Sequence, residues 1–390
     1  MMTAVTCSAA TVSTEYEGVN LEEPLEKNIQ ANAPIGEKLQ INAKSAILIE
    51  YNTGKILYES NADEKLAPAS ITKIMTLILV MEAIEDKRLS LEDQITASEH
   101  AASLGGSQIW LEPGEVMTVD ELLRATVIAS ANDATVALAE AVSGSEESFV
   151  LKMNEKAAEL GLKDTNFVNS YGLDAEGHLT TAHDVAVMSK ELMKHELIRQ
   201  YTEKTMDSLR GGESELVNTN KLIRYYDGCF GLKTGTTSKA GSCLSAIAER
   251  NGLTLIAVVL GAPSSKDRFS GTQKLLDYGF ANYSFTETKA DTSEFSDIPV
   301  RRGTTRFVTP TVTEKFFALL KKGDESKLTQ TFTLSEELVA PVKAGDTVGY
   351  VHIYLGEEEL GVIPIIAGSD SDKLTYFVCL MRLVKSLFTL

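Results

Sequence analysis

The sequence predicts an α+β fold, in which helices pack against one antiparallel sheet. Three observations carry this prediction: a strand hairpin around residues 52–54, helical periodicity through the middle of the chain, and short apolar strand-like runs from about residue 229. This order of strands, helices and strands favours a layer structure in which the sheet joins both ends of the domain. A small all-β domain and a C-terminal amphipathic helix are predicted to follow.

Composition narrows the classes of protein that fit. The chain has 390 residues, of which 43% are hydrophobic and 24% charged, so it can bury a substantial core and form more than one domain. Its net charge of -18 would repel a phosphate backbone, and we predict no nucleic-acid partner. The cysteines at positions 7, 229, 243 and 379 stand singly, and the histidines follow no metal-binding pattern. We therefore predict no disulfide framework, no metal and no cofactor.

Residues 1–38 are predicted to be a leader, with the folded part beginning near Leu39. The first 18 residues pass from small and apolar to acidic and polar, as the end of a secretory signal and its cleavage site would, although a basic n-region and a full apolar core are absent. A disordered N-terminus explains them equally well. No stretch approaches the roughly 20 uninterrupted apolar residues of a membrane-spanning helix.

Helices are predicted from apolar spacing and capping signals. After Ser70, apolar residues recur three and four positions apart as far as Met81. Thr118 and Glu121 stand in the register of a capping box, and the helical pattern breaks at residues 130–132 before it restarts. Further helices fit residues 147–160 and 183–197.

Strands are predicted from apolar or β-branched runs punctuated by glycine. Such runs are GCFGLKTGTT, GSCLSAIAER and LTLIAVVLGA, within residues 228–262, and a helix over 270–283 follows them. Residues 286–372 contain short alternating segments rich in Thr, Val and Glu, which favour a separate small β domain. Residues 39–285 are therefore predicted to be the main domain.

Residues 373–390 are predicted to form an amphipathic helix on a membrane surface. The segment is apolar except for a stripe at helical spacings, made of Thr375, Arg382, Lys385, Ser386 and Thr389. A helix this short and this charged cannot span a bilayer, but its apolar face suits the lipid interface. A helix packed on the small β domain is the alternative.

Ser70 and Lys73 lie one helical turn apart, among apolar residues and shortly after Pro68. The proline favours an extended entry, so Ser70 should stand where unpaired N–H groups gather at a helix start. A lysine can accept the proton of a neighbouring hydroxyl when burial and nearby positive charge lower its pKa. The alternative is an N-cap serine with a lysine whose ammonium reaches solvent.

Two other short motifs favour chemistry over capping. Ser130-Ala131-Asn132 breaks a strongly patterned helix without a glycine or proline to explain the break. The Lys233-Thr234-Gly235 motif lies in a strand-like run, where glycine would let the backbone of a substrate approach closely. Each of the three patterns occurs once in the chain.

In this order and spacing, the three motifs resemble the active-site trio of the penicillin-binding proteins and serine β-lactamases. The segments SANDATVALAEAVSG, NSYGLDAEGHLTTAHDVAVMSKEL, GLKTGTTSKAGSCL and LIAVVLGAPSSKDRF further resemble the low-molecular-mass D-alanyl-D-alanine carboxypeptidases. The resemblance covers about residues 38–285, and the small β domain with its terminal helix repeats that family's layout. It implies a β-lactamase/transpeptidase-like catalytic domain.

The resemblance assigns catalytic roles to four residues. Ser70 would be the acylated nucleophile and Lys73 its base, while Ser130 would pass a proton to the leaving amine and Lys233 would supply positive charge. The backbone N–H groups of Ser70 and Thr236 would form an oxyanion hole.

The resemblance also assigns substrate binding. Asn132 would bond the substrate peptide, and Thr234, with Gly235 and Thr236 beside it, would border the terminal carboxylate. Arg268 would pair with that carboxylate, a role that suits a planar guanidinium. A surface arginine paired to Asp267 or Asp277 is the alternative.

Some residues depart from the family pattern or border the motifs. Ala131 stands where glycine is commoner, and Thr236 stands where a larger residue is expected, which bears on substrate fit. His183 is interpreted as structural. Asp174 and His178, in a glycine-containing loop, are interpreted as turn residues rather than as part of the cleft.

The resemblance implies an extracytoplasmic enzyme, peripheral on the outer face of the bacterial cytoplasmic membrane. Its partners would be the D-Ala-D-Ala end of peptidoglycan pentapeptides, β-lactams as inhibitors, and the membrane surface through the C-terminal helix. A β-lactamase is one alternative, although the E-x-x-L-N segment of its commonest class is missing around Glu155 and Glu159. A catalytically idle peptidoglycan-binding scaffold is the other.

Overall fold

A computed structural model of the chain describes residues 39–387, with the backbone alone for residues 382, 383 and 385–387. The predicted leader (residues 1–38), Cys7 and Thr389 therefore lie outside the described residues. So do the side chains of Arg382, Lys385 and Ser386 in the predicted polar stripe.

The elements up to residue 288 follow the predicted order: a strand hairpin, then mostly helices, then three long strands and a helix. The strands are β1 (Ser45–Glu50), β2 (Ile56–Ser60), β3 (Gln94–Thr96), β4 (Val116–Thr118), β5 (Met206–Leu209), β6 (Ser214–Val217), β7 (Cys229–Thr237), β8 (Gly241–Arg250), β9 (Leu253–Ala262) and β10 (Tyr283–Thr288). The helices are α1 (Lys73–Glu85), α2 (Glu99–Ala102), α3 (Val119–Arg124), α4 (Asn132–Ser143), α5 (Glu146–Glu159), α6 (Ala182–Leu192), α7 (Glu196–Thr202), α8 (Leu222–Tyr225) and α9 (Ser265–Asn282). Short 3₁₀ turns cover Ala69–Thr72 and Arg210–Gly212, and a π-helix covers Ala125–Ala129.

One antiparallel sheet organises this part, with strand order β2-β1-β9-β8-β7. Side chains of β9 alternate between two buried faces, because successive residues of a strand point to opposite sides. Ile256 and Val258 pack in the larger core, among helices α1 and α3 to α7. Leu255 and Val259 pack on the other side, against α8 and α9. The α+β prediction is confirmed, and β7 lies at the edge of the sheet.

The one helix cap predicted from the sequence, at Thr118, is present. The Glu121 N–H donates to Thr118 Oγ1 over 3.2 Å, and the Thr118 N–H donates to Glu121 Oε2 over 2.9 Å, which completes the predicted capping box. Other helices have serine or threonine caps at Ser98, Ser145, Thr181 and Ser264. The helix predicted over 183–197 is in fact two helices, α6 and α7. The helix predicted over 270–283 is α9, which begins five residues earlier, at Ser265.

A small all-β part follows. Its strands are β11 (Ile298–Arg301), β12 (Phe307–Val308), β13 (Pro310–Thr311), β14 (Phe316–Lys321), β15 (Leu328–Leu334), β16 (Leu338–Val339), β17 (Thr347–Leu355) and β18 (Glu358–Ala367), with a 3₁₀ turn over Glu325–Lys327. Strands β13, β18, β17 and β15 form one antiparallel sheet over a core of its own, which includes Val351, Ile353, Ile363 and Ile365. β10 pairs with β14 and runs across the boundary predicted at 285/286, so that boundary stays a prediction.

The C-terminal helix α10 covers Tyr376–Leu387. Five of its described side chains are exposed and apolar, Tyr376, Phe377, Leu380, Met381 and Val384, while Val378 and Cys379 are partly buried. None of the helices within the described part of the chain is long and apolar enough to cross a membrane.

Candidate active site

Ser70 is the second residue of the 3₁₀ turn that leads into α1, and its side chain is only partly buried. N–H groups in the first turn of a helix lack intrahelical partners, so this end favours developing negative charge. Ala69, directly before it, has a left-handed φ of 49°. Gly235 of β7 passes so close that a Cβ there would lie 2.9 Å from the Ser70 nitrogen, which explains why this position needs glycine.

Lys73 follows on the first turn of α1 and is 0% exposed. Its Nζ lies 3.1 Å from Ser70 Oγ, and it donates to Asn132 Oδ1 and to the Tyr171 carbonyl oxygen, each over 2.6 Å. Burial, and then the charge of Lys233, lower the pKa of Lys73 well below its ordinary value. The predicted serine–lysine contact is therefore present, and the neutral amine is easier to reach than in an exposed lysine.

Ser130 ends the π-helix in a left-handed conformation, with φ 62°. This backbone break turns the chain so that Asn132 can begin α4 close to Lys73. Asn132 Nδ2 donates to the Gly105 carbonyl oxygen over 2.7 Å, which fixes its Oδ1 toward the lysine. Ser130 Oγ is buried and, among the described residues, has no hydrogen-bond partner, so it can serve an incoming substrate.

Asp133 is a buried carboxylate that the sequence analysis missed. It accepts hydrogen bonds from the Ile109 and Leu111 N–H groups at 3.1–3.2 Å. Those residues belong to the loop whose Gly105 carbonyl holds Asn132. The position of Asp133 directly after Asn132 is the only sequence signal of its role, because the Ile109 and Leu111 N–H groups lie more than 20 residues away in the chain.

Strand β7 brings Lys233, Thr234, Gly235 and Thr236 to the other side of Ser70. Lys233 is 1% exposed, and its Nζ donates to the Thr234 carbonyl oxygen over 3.3 Å. Burial, helped by the charge of Arg268, lowers the pKa of Lys233 to about 7. Thr234 Oγ1 donates to Thr219 Oγ1 over 2.7 Å, so it can accept but not donate to a ligand in this arrangement.

Arg268, the fourth residue of α9, reaches the end of the same motif. Its Nη1 donates to the Gly235 carbonyl oxygen over 3.1 Å and to Thr236 Oγ1 over 2.8 Å. It is 8% exposed, and among the described residues its Nε has no partner. Burial lowers the pKa of Arg268 to about 10, which still leaves it charged at neutral pH. Asp267 and Asp277 are bonded to other residues, which argues against the surface pairing.

The loop after α5 closes the cleft from a third side. Asp174 accepts hydrogen bonds from Thr237 Oγ1 over 2.7 Å and from the Lys239 N–H over 3.2 Å, so it binds the loop to the end of β7. His178 closes a turn, since its N–H donates to the Ala175 carbonyl oxygen over 3.3 Å, but its ring is 1% exposed and bonds Thr72 Oγ1, a contact that the turn interpretation did not include. His183 is half-exposed and pairs with Asp63 over 3.4 Å.

A hydroxyl beside a buried lysine, an unpartnered second hydroxyl and a buried arginine are the groups that a serine–lysine acyl-transfer site requires. Family comparison agrees with this class. Residues 28–264 match the family D-alanyl-D-alanine carboxypeptidase, and residues 283–373 match the penicillin-binding protein 5, C-terminal domain. The chain belongs to the D-alanyl-D-alanine carboxypeptidase family.

Curated relatives match this chain along most of their length. The chain is 44% identical to the D-alanyl-D-alanine carboxypeptidase DacF of Bacillus subtilis, over 88% of this chain and 90% of the relative. It is 35% identical to DacC of Escherichia coli, with 87% of both chains covered. These matches do not favour a β-lactamase or an idle scaffold.

Solved structures give the same fold. Penicillin-binding protein 3 of Streptococcus pneumoniae superposes with a TM-score of 0.74 at 31% identity, over 86% of this chain and all of that one. Penicillin-binding protein 5 of Haemophilus influenzae gives 0.72 at 31% identity, over 86% and 99%. Penicillin-binding protein D2 of Listeria monocytogenes, in its ampicillin-bound form, gives 0.58 at 33% identity, over 63% and 100%.

Proposed function

We propose that this chain is a serine D-alanyl-D-alanine carboxypeptidase that releases the terminal D-Ala of peptidoglycan pentapeptides through an acyl-enzyme on Ser70. The contact between Ser70 Oγ and Lys73 Nζ, at 3.1 Å, carries the proposal. The family and the names of its members support the substrate class.

Lys73 is suited to take the proton of Ser70. A neutral amine has two hydrogens and one lone pair, and the carbonyl oxygens of Asn132 and Tyr171 can only accept. If these two oxygens hold both hydrogens, the lone pair is left for the Ser70 hydroxyl. The proton then moves from Ser70 Oγ to Lys73 Nζ as Oγ attacks the carbonyl carbon between the two D-alanines.

The remaining groups complete acylation. The oxyanion forms opposite the Ser70 and Thr236 N–H groups, and it collapses as the bond to the leaving D-Ala nitrogen breaks. Ser130, whose hydroxyl has no other partner among the described residues, gives its proton to that nitrogen and takes up the proton that Lys73 removed from Ser70, so that D-Ala leaves and Lys73 is neutral again. The positive charge of Lys233 would support this transfer. Water then attacks the ester carbonyl and gives a proton to Lys73. The bond to Ser70 Oγ breaks as that proton returns to Oγ, and the shortened peptide leaves as a carboxylic acid.

Selection of a chain end rests on Arg268. A carboxylate beside Thr234 and Thr236 would meet a guanidinium whose Nε is buried and unpartnered in the described structure. The free edge of β7 can also pair with an extended peptide, as strand addition does elsewhere. β-Lactams would acylate the same Ser70 and act as inhibitors.

We further propose that the enzyme works outside the cytoplasmic membrane and rests on its outer face through α10. The exposed side chains Tyr376, Phe377 and Met381 support this placement, since they are apolar and solvent-facing on a helix too short to span. The small β domain, residues 286–372, would then act as a spacer. Sedimentation with phospholipid vesicles should carry down the full chain but not a chain ending at residue 375, and equal recovery of both would contradict the anchor.

The assay for the activity is release of free D-alanine from a pentapeptide ending in D-Ala-D-Ala, with and without penicillin. We expect release that penicillin abolishes and that Ser70→Ala lacks. Full release by Ser70→Ala would refute the proposal. Rapid penicillin hydrolysis without D-alanine release would indicate a β-lactamase instead.

A further inference from the structure

His178 lies directly behind the segment that carries Ser70, and both of its ring nitrogens have partners. The Val168 N–H donates to Nδ1 over 2.9 Å, and Nε2 lies 2.8 Å from Thr72 Oγ1. Because Nδ1 accepts a hydrogen, the neutral ring carries its own hydrogen on Nε2 and donates it to Thr72. Burial lowers the pKa of His178 to about 4, against the opposing charge of Asp174, so the ring is neutral at working pH.

Thr72 passes this bond on to the peptide group that precedes Ser70. Its hydroxyl accepts from His178 and donates to the Ala69 carbonyl oxygen over 2.8 Å. A trans peptide group is planar, so its C=O and the N–H of the next residue point in opposite directions. A bond that holds the Ala69 C=O in place therefore also fixes the direction of the Ser70 N–H.

We propose that His178 is a positioning residue that acts through Thr72 to aim the Ser70 N–H at the oxyanion formed during acylation. This inference rests on the proposed function, since the Ser70 N–H is an oxyanion donor only in that reaction. A hydroxyl that already accepts a hydrogen bond also donates a stronger one, so the chain from ring to hydroxyl to carbonyl polarises the same peptide group.

The backbone before Ser70 explains why such a support is needed. Ala69 has a left-handed φ of 49°, which is unfavourable for a residue with a Cβ and persists only when its surroundings hold it. Gly172 packs against the same carbonyl so tightly that a Cβ there would lie 2.0 Å from the Ala69 oxygen. The carbonyl is thus held by the Thr72 hydroxyl and by the close backbone of Gly172.

The segment that carries His178 is anchored on the chain that enters the Ser70 turn. Leu66 and Thr180 exchange both backbone hydrogen bonds, at 2.8 and 2.9 Å. Leu179 and Asn166 exchange theirs at 2.9 and 3.2 Å. The position of His178 relative to the Ser70 turn is therefore held by the main-chain bonds of the two residues that follow it.

Three variants of the full chain test this positioning role. His178→Leu removes the ring donor and Thr72→Val removes the hydroxyl, whereas His178→Gln keeps an acceptor and a donor at a similar separation. We expect kcat for D-alanine release, and the rate constant of acylation by saturating penicillin, to fall about 10- to 100-fold in the first two variants. KM should change less than about twofold, because the oxyanion exists only in the transition state. His178→Gln should recover most of the loss.

Thr76→Val is the matched control. Thr76 is as buried as Thr72, and its hydroxyl donates to the Ser170 carbonyl oxygen over 2.5 Å without reaching Ala69. Its melting temperature should fall about as much as that of Thr72→Val, while its kcat stays within about twofold of the wild type. Equal kcat in Thr72→Val and Thr76→Val would overturn the inference, as would failure of His178→Gln to recover activity. If His178→Leu does not fold, Thr72→Val decides, since it leaves the ring in place.

The wild type, assayed beside these variants, separates the two proposals. An active wild type with unaffected His178 and Thr72 variants would overturn the positioning role alone. A wild type that neither releases D-alanine nor reacts with penicillin would overturn the proposed function, and the positioning role with it.

Discussion

The two walls of the candidate cleft are built differently. On the helical wall, the hydroxyls of Ser70 and Ser130 follow irregular turns, and left-handed backbone occurs at Ala69 and at Ser130 itself. On the strand wall, residues 233–236 belong to a regular ladder between β7 and β8. The two hydroxyls of the helical wall thus depend on distant buried bonds to hold their backbone, whereas residues 233–236 of the strand wall take their positions from the sheet.

The lysines of the two walls also differ in how many contacts hold them. Lys73 has three oxygen neighbours at 2.6–3.1 Å, from Ser70, Asn132 and Tyr171. The one contact of Lys233 given by the described residues is a carbonyl oxygen at 3.3 Å. Lys73 is therefore held in one orientation by its neighbours, whereas the ammonium of Lys233 is less constrained.

Removal of the amine on the helical wall should have the largest effect. Lys73→Met keeps the length of the side chain but deletes the base, and it should lower penicillin acylation about 10²- to 10⁴-fold. Stopped-flow acylation rates measure this loss, with the exposed Lys274→Met as control. A loss below about tenfold would show that another group takes the Ser70 proton.

Removal of the guanidinium on the strand wall should cost less and act on binding. Arg268→Gln should raise KM for a carboxylate-ended peptide about 10- to 100-fold, the equivalent of a charged hydrogen bond. The same peptide with a C-terminal amide should be a poor substrate for the wild type and no worse for the variant. The exposed Arg224→Gln is the control, and an unchanged ratio of the two peptides would contradict the role of Arg268.

The charge on Lys233 should appear as an alkaline limb in the pH profile. Its pKa is lowered to about 7, so the ammonium is present below this pH and is lost as the pH rises through it. If the charge is needed, kcat/KM should fall up to about tenfold per pH unit above this point. Lys233→Arg keeps the charge and should move the limb upward. A wild-type limb near the ordinary lysine pKa would contradict the account.

The smallest effect concerns stability behind the helical wall. The pKa of His178 is about 4 in the folded chain against 6.5 for an unperturbed histidine, so the unfolded chain binds more protons between these values. Stability should therefore fall by about 2–3 kcal/mol as the pH is lowered from 6.5 to 4. His178→Gln should flatten this fall in denaturant titrations, and the half-exposed His183→Gln should not.

Local patterns predicted much of the fold. The capping box at Thr118, the helix after Ser70 and the three strands after residue 229 all follow from short-range spacing and are confirmed. The division of residues 183–197 into two helices was missed, because its apolar spacing continues across the break.

The supports of the site could not be predicted in the same way. The motifs named Ser70, Lys73 and Ser130, but the carbonyl of Tyr171 that bonds Lys73 is a backbone atom with no side-chain signature. His178 stands in a glycine-containing loop, and only the long-range pairing of that loop with the Ser70 entry buries its ring. Contacts across about 100 residues are invisible to periodicity.

Acylation of Ser70 is the central claim, and intact-protein mass after brief exposure to penicillin tests it most directly. The account predicts a mass increase of one penicillin, mapped by peptide digestion to Ser70 and absent from Ser70→Ala. An unmodified wild type, or an adduct on another residue that survives in Ser70→Ala, would contradict it.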